Sequence, residues 1–174
     1  MIQTALLCLI SRTIEASLEF TEIPFNLAGK IYRSAMPYSE YDPRGAVLQA
    51  YQDHAIGSVV VLVQTDHIIQ DSGRNLLQLY AQNGLQVLHL PIADYGVPEP
   101  EGLKLAVDEV LRRAEGGENI VIHCLKGVGR TGLLLACMAK IAFDLPGEQA
   151  IDWVRGYVPG AVETPAQRKL VNEF

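Results

Sequence analysis

The chain has 174 residues, 49% apolar and 20% charged, enough to bury one core and too apolar for a disordered, collagen-like or low-complexity chain. Its 14 basic and 20 acidic residues give a net charge of −6, without the basic stripe that nucleic acid or an anionic membrane surface requires. Three cysteines, Cys8, Cys124 and Cys137, are an odd count in a chain that needs no staples and read as reduced thiols.

Residues 1–15 read equally as helix or strand and form an uncertain N-terminal extension of a single domain spanning 1–174. The apolar run Ala5–Ile10 is short for a secretory signal and has Arg12 after it rather than a basic residue before it, so the expected location is the cytoplasm. No apolar run approaches the ~18 residues of a membrane span. Runs of Val, Ile and Leu bounded by turn residues predict strands at Lys30–Ser34, Ser58–Val63, Leu85–Pro91 and Asn119–His123. Leu76, Leu77 and Tyr80 mark a short helix ended by Gly84. Leu103, Val107, Val110 and Leu111 lie at helical spacing before Gly116-Gly117. Gly129–Phe143 is apolar almost all round, with Leu133, Leu134, Leu135, Cys137, Met138 and Ile141, which reads as a central buried helix stopped by Pro146. Two more helices follow, one carrying Ala150, Ile151 and Val154 and one opening at Thr164-Pro165. Strands alternating with helices predict an α/β fold, a central, mostly parallel sheet of four to five strands flanked by helices.

The segment Asn119-Ile-Val-Ile-His123-Cys124-Leu125-Lys126-Gly127-Val128-Gly129-Arg130-Thr131-Gly132 joins a strand to the buried helix through a short glycine-containing loop. Such a loop turns successive backbone N–H groups toward one point, where the helix dipole adds positive potential. Cys124 starts the loop under those donors, and Arg130, six residues on, can fork onto two phosphate oxygens. A Walker-type loop is excluded, because Lys126 precedes Gly127 and no Gly-Lys-Ser/Thr follows.

The pattern His-Cys-x5-Arg-Thr in this setting resembles the cysteine-dependent protein tyrosine phosphatase superfamily in its compact, dual-specificity-like branch. The likeness runs from about Gly29 to Phe174, and Asn75–Tyr80, Pro91–Asp94 and Ala150–Asp152 look most like its kinase-associated phosphatases. The resemblance implies a phosphatase P-loop between the last strand and the buried helix. Cys124 is then the nucleophile that forms a phosphocysteine, while Arg130 and the amides of Leu125, Lys126, Gly127, Val128, Gly129 and Arg130 hold the phosphoryl oxygens. His123 orients the loop and Thr131 hydrogen-bonds the leaving thiolate; no metal and no other cofactor is needed.

Ester cleavage also needs an acid for the departing oxygen. Asp94, in the Gly- and Pro-containing stretch Leu90–Pro98 after a strand, is the first candidate, and Asp66 the second. By resemblance Gln167 positions the hydrolytic water, yet Thr164-x-x-Gln167 with Pro165 at N1 equally reads as a capping box. Val158 stands where many relatives show an arginine before Pro-Gly.

The implied partner is a phosphorylated protein carrying phosphotyrosine. Phosphoserine and phosphothreonine are also within reach, because the region before Ser34 is too short for the loop that deepens the pocket in larger tyrosine-specific relatives. Neither nucleic acid nor membrane is an expected partner, and the sequence carries no signal for oligomeric state. The alternatives are a phosphoinositide or RNA 5′-phosphate substrate, a phosphate-binding module without turnover, and a redox thiol protein using Cys124. His54, His67 and His89 lack metal-ligand spacing, and Cys137 reads as core packing. Tyr95 is placed at the pocket entrance, and Lys126 points to solvent or toward an acidic substrate.

Overall fold

The computed structural model describes residues 20–174; Cys8 and the expectation for residues 1–15 lie outside them. Strands β1 (Phe20–Ile23), β2 (Ile31–Ser34), β3 (Ile56–Val61), β4 (Gln86–His89) and β5 (Asn119–His123) form a five-stranded sheet in the order β1-β2-β5-β3-β4. β2, β5, β3 and β4 run parallel, and β1 adds an antiparallel edge. Val59–Val61 and Ile120–Ile122 are buried throughout, as expected for parallel strands covered on both faces.

The described residues hold seven helices: α1 (Ala46–Asp53), α2 (Thr65–Ser72), α3 (Leu76–Gln82), α4 (Pro100–Glu115), α5 (Gly129–Phe143), α6 (Gly147–Arg155) and α7 (Pro165–Glu173). Every residue of α5 from Gly129 to Ala139 is buried, because the helix packs between β5 on one side and α4, α6 and α7 on the others. No described helix is long and apolar enough to cross a membrane.

The predicted α/β sheet is therefore present, with three elements that the sequence pattern did not reveal. β1 is a four-residue edge held by stacking of Phe20 on Tyr32, ring centroids 4.7 Å apart. α1 begins where the Asp42 carboxylate accepts from the amides of Ala46 and Val47 at 2.9 and 3.1 Å. That cap lies four residues upstream, beyond the usual position directly before the helix. α2 buries only Ile68 and Ser72, too little for a period. The strand expected at Ser58–Val63 begins at Ile56 instead, with a register shift between Ile56 and Ser58. The strand expected at Leu85–Pro91 ends at His89, since Pro91 has no amide to donate.

Because these strands are parallel, the segments following β2, β4 and β5 emerge at one edge of the sheet, the usual location of an α/β ligand site. Residues 35–45, 90–99 and 124–128 meet there.

Candidate active site

β5 is flanked by β2 and β3, so its C-terminal end delivers His123 and Cys124 to the middle of that edge. The backbone then turns through Cys124–Val128 into α5. Gly127 has φ +79°, a conformation costing a residue with a side chain about 1–2 kcal/mol, and a Cβ there would collide with the backbone carbonyl of Ser34. With the loop in this shape the Gly127 amide donates to Cys124 Sγ at 3.2 Å. The Met36 amide anchors the loop from outside by donating to the Leu125 carbonyl at 2.9 Å.

His123 is fully buried beneath the loop. Its Nδ1 lies 3.0 Å from the Cys124 carbonyl, which can only accept, so Nδ1 carries the proton. Nε2 then accepts from the Tyr80 hydroxyl at 2.9 Å. Burial, reinforced by the Arg130 charge and opposed by the bond to Cys124, lowers the His123 pKa to about 4, so the ring is neutral. Tyr80 is coupled in turn to Tyr51, whose hydroxyl lies 2.7 Å from Ser34 Oγ. Burial pushes both phenols up, so they remain protonated. A buried polar chain thus runs Ser34–Tyr51–Tyr80–His123 under the loop.

Arg130, in the first turn of α5, is only 4% exposed. Its Nη1 donates to the Ile92 carbonyl at 3.2 Å and its Nη2 lies 3.1 Å from Asp94 Oδ1. A guanidinium has five N–H donors, so others remain for phosphate oxygens. Asp94 is half exposed, and its Oδ1 also accepts from the Tyr95 amide at 3.1 Å. The fold therefore brings Asp94 onto Arg130. Asp66 sits exposed in the first turn of α2 rather than in a loop. Thr131 Oγ1 is buried and has no hydrogen-bond partner among the described residues.

Gln167 is fully buried. Thr164 caps α7 by accepting from the Gln167 amide at 3.2 Å, yet the reciprocal half of the capping box is missing. Gln167 Oε1 accepts instead from the Glu163 amide at 2.8 Å, and Nε2 donates to the Gly96 carbonyl at 3.1 Å. Val158 is buried. Nearby Arg155 is engaged with backbone, donating to the carbonyls of Ala161 and Val162 at 2.9 and 3.1 Å.

At the rim, Lys126 Nζ stands 5.8 Å over the Tyr41 ring. The Tyr41 phenol is raised by partial burial and by the charges of Glu40 and Asp94 and the neighbouring Tyr95 phenol. Tyr95 itself is 63% exposed with φ +56°. Ser34, Tyr41, Tyr51 and Tyr80 were not apparent as site residues in the sequence: they come from β2, a loop, α1 and α3, and no motif links them. Cys137 is core packing, its thiol pushed up to about 12 by burial. His54 and His89 are bonded to the carbonyls of Ala50 and Val63, and among the described residues no cluster of three or more His, Cys, Asp or Glu could hold a metal.

Residues 36–141 match the family model described as polymorphic toxin system, DSP-PTPase phosphatase. The human protein cyclin-dependent kinase inhibitor 3 is 36% identical over 102 residues, 58% of this chain and 48% of that protein. The chain spans between 19% and 60% of the length of the curated relatives that it matches first. Among solved structures, Tk-PTP in its active form has 30% identity and a TM-score of 0.72, covering 87% of this chain and 94% of that one. Kinase associated phosphatase, with its catalytic-site cysteine replaced by serine, shares the fold at a TM-score of 0.81 and 24% identity, covering 90% and 93%.

Proposed function

The chain belongs to the DSP-PTPase phosphatase family, and from that premise we propose that it hydrolyses phosphomonoesters on proteins, phosphotyrosine first and phosphoserine or phosphothreonine as well. Two observations support this reading: Arg130, at the start of the helix that follows the Cys124 loop, pairs with Asp94 at 3.1 Å, and the Cys124 sulfur accepts the Gly127 amide.

Cys124 Sγ attacks phosphorus in line, and the P–O bond to the alcohol breaks as Asp94 gives its proton to the leaving oxygen. The amides of Leu125–Arg130 and the Arg130 guanidinium hold the three non-bridging oxygens. Asp94, now a carboxylate, takes a proton from water as that water attacks phosphorus. The S–P bond breaks, inorganic phosphate leaves, and Asp94 is again protonated. Neutral His123 fixes the Cys124 carbonyl and hence the first residue of the loop. Thr131 Oγ1, buried without a partner among the described residues, is available to the thiolate. Every step uses the chain's own groups.

A phosphorylated protein as partner is supported by the likeness to cyclin-dependent kinase inhibitor 3 and kinase associated phosphatase. Unpaired Cys124 and Cys137 suit a reducing compartment such as the cytoplasm.

The test is hydrolysis of an aryl phosphate in the presence of a chelator, followed by a panel of phosphopeptides and phosphoinositide vesicles. Cys124→Ser should abolish turnover and retain phosphate-ester binding, and Arg130→Lys should be nearly inactive because an ammonium cannot make the bidentate fork. Substantial turnover by Cys124→Ser would refute the cysteine route, and preference for phosphoinositide over every phosphopeptide would refute the protein substrate.

A further inference from the structure

The turn that carries Asp94 is held from two sides. On one side Arg130, at the start of α5, grips the Ile92 carbonyl and the Asp94 carboxylate. On the other, the start of α7 reaches across: Thr164 Oγ1 donates to the Tyr95 carbonyl at 3.3 Å, and Gln167 Nε2 donates to the Gly96 carbonyl at 3.1 Å. The Gly96 amide closes the turn on the Ala93 carbonyl at 2.9 Å. Tyr95, between the acid and the clamped carbonyl of Gly96, has φ +56°, a conformation that a residue with a side chain keeps only when its surroundings impose it.

Gln167 gives up a local bond to do this. In a complete capping box its side chain would return to the Thr164 amide. Here Oε1 takes the Glu163 amide, and Nε2 is thereby aimed at Gly96. Both polar atoms are engaged with backbone inside a fully buried side chain, so turning the amide toward a water would release the acid turn.

We propose that Gln167 and Thr164 are positioning residues for the acid turn, presetting Asp94 for protonation of the leaving group. Gln167 then serves formation of the phosphocysteine, the first half of the reaction, rather than its hydrolysis. The inference rests on the phosphatase reading above.

Stopped-flow kinetics of the full chain, with aryl phosphates graded from good to poor leaving groups, separate the two halves. Gln167→Met keeps the side chain's length and removes both bonds. It should slow phosphocysteine formation from a poor leaving group roughly 10- to 100-fold, the scale of an ångström of misplacement, and spare an activated one, so that leaving-group dependence steepens. In an Asp94→Asn background the same change should add almost nothing, because both act on one step. Gln167→Glu retains the acceptor for Glu163, loses the donor to Gly96, and should behave like Gln167→Met.

An unchanged leaving-group dependence with slower phosphocysteine breakdown, seen as a larger burst, would overturn the proposal in favour of water positioning. A uniform loss across all leaving groups would overturn it in favour of a merely structural cap. If the Gln167 variants do not fold, Thr164→Ala, which loses the Tyr95 bond, must steepen the dependence in the same direction or the proposal fails. A wild-type chain that forms no phosphocysteine from any aryl phosphate refutes the phosphatase reading itself, and this inference with it. That outcome differs from a wild-type burst that the Gln167 variants leave unaltered, which refutes only the clamp.

Discussion

The neutral histidine under the loop makes stability depend on pH in a defined window. In the unfolded chain an imidazole has the ordinary value of 6.5, whereas in the fold His123 is held at about 4, chiefly by burial. Between these two values the unfolded chain binds a proton that the native chain does not, so stability falls as pH drops from 6.5 toward 4 and is unaffected by this group above 6.5. At about 1.4 kcal/mol for each pH unit the contribution amounts to ~3 kcal/mol, a large fraction of the 5–15 kcal/mol typical of a domain. Urea unfolding at a series of pH values measures it through the linear extrapolation to water. The comparison is with His123→Asn, which can still donate to the Cys124 carbonyl and cannot titrate. The variant should lose ~3 kcal/mol less than the parent over this range, whatever its stability at pH 7. Carboxylates titrating in the same range affect both proteins and cancel. Parallel curves for parent and variant would refute the buried neutral imidazole, and with it the assigned Nδ1 proton.

Gly127→Ala should lower turnover roughly 10- to 100-fold through displacement of the amide that faces Cys124, with a loss of at least about 1 kcal/mol in stability from the left-handed conformation; full activity in steady-state assays would show that the loop does not need this turn. Asp94→Asn should slow cleavage of an alkyl or tyrosyl phosphate by about 10²- to 10⁴-fold, the usual worth of general acid catalysis, and should harm an activated aryl phosphate less. Alkyl phosphate turnover that survives Asp94→Asn and disappears in Asp66→Asn would move the acid to α2.

What could be read from the sequence was contiguous in it. A run of buried β residues, a loop with two glycines, an apolar helix and an arginine six residues after a cysteine lie within Asn119–Phe143, and β5 and α5 have the boundaries that this pattern gives. Asp94 was legible for a similar reason, since Gly and Pro after a strand mark a loop at the ligand edge. The polar chain beneath the loop was not, because Ser34, Tyr51 and Tyr80 belong to β2, α1 and α3 and meet only when the parallel strands are in register. Gln167 shows the limit within a motif: Thr-x-x-Gln correctly marks the start of α7, and only the fold reveals that the glutamine amide reaches Gly96, 71 residues away. β1 and α2 were missed because a four-residue edge and a helix with two buried positions leave too little periodicity to detect.

The order β1-β2-β5-β3-β4 also governs how the chain can assemble as it is synthesised. β2 and β3 leave the ribosome early, yet neither pairs with the other; each is completed by β5, which follows residues 62–118. β1 with β2, and β3 with β4, can form as separate ribbons, each baring the edge that later pairs with β5, Ile31–Ser34 in the first and the Val-rich Ile56–Val61 in the second. Two-stranded ribbons are marginal in water, and exposed edges of this composition invite pairing with other chains. The strand that leads into Cys124 is thus the insertion that joins two half-sheets, and the nascent chain is most open to aggregation, and most suited to chaperone capture, in the interval just before the P-loop is made.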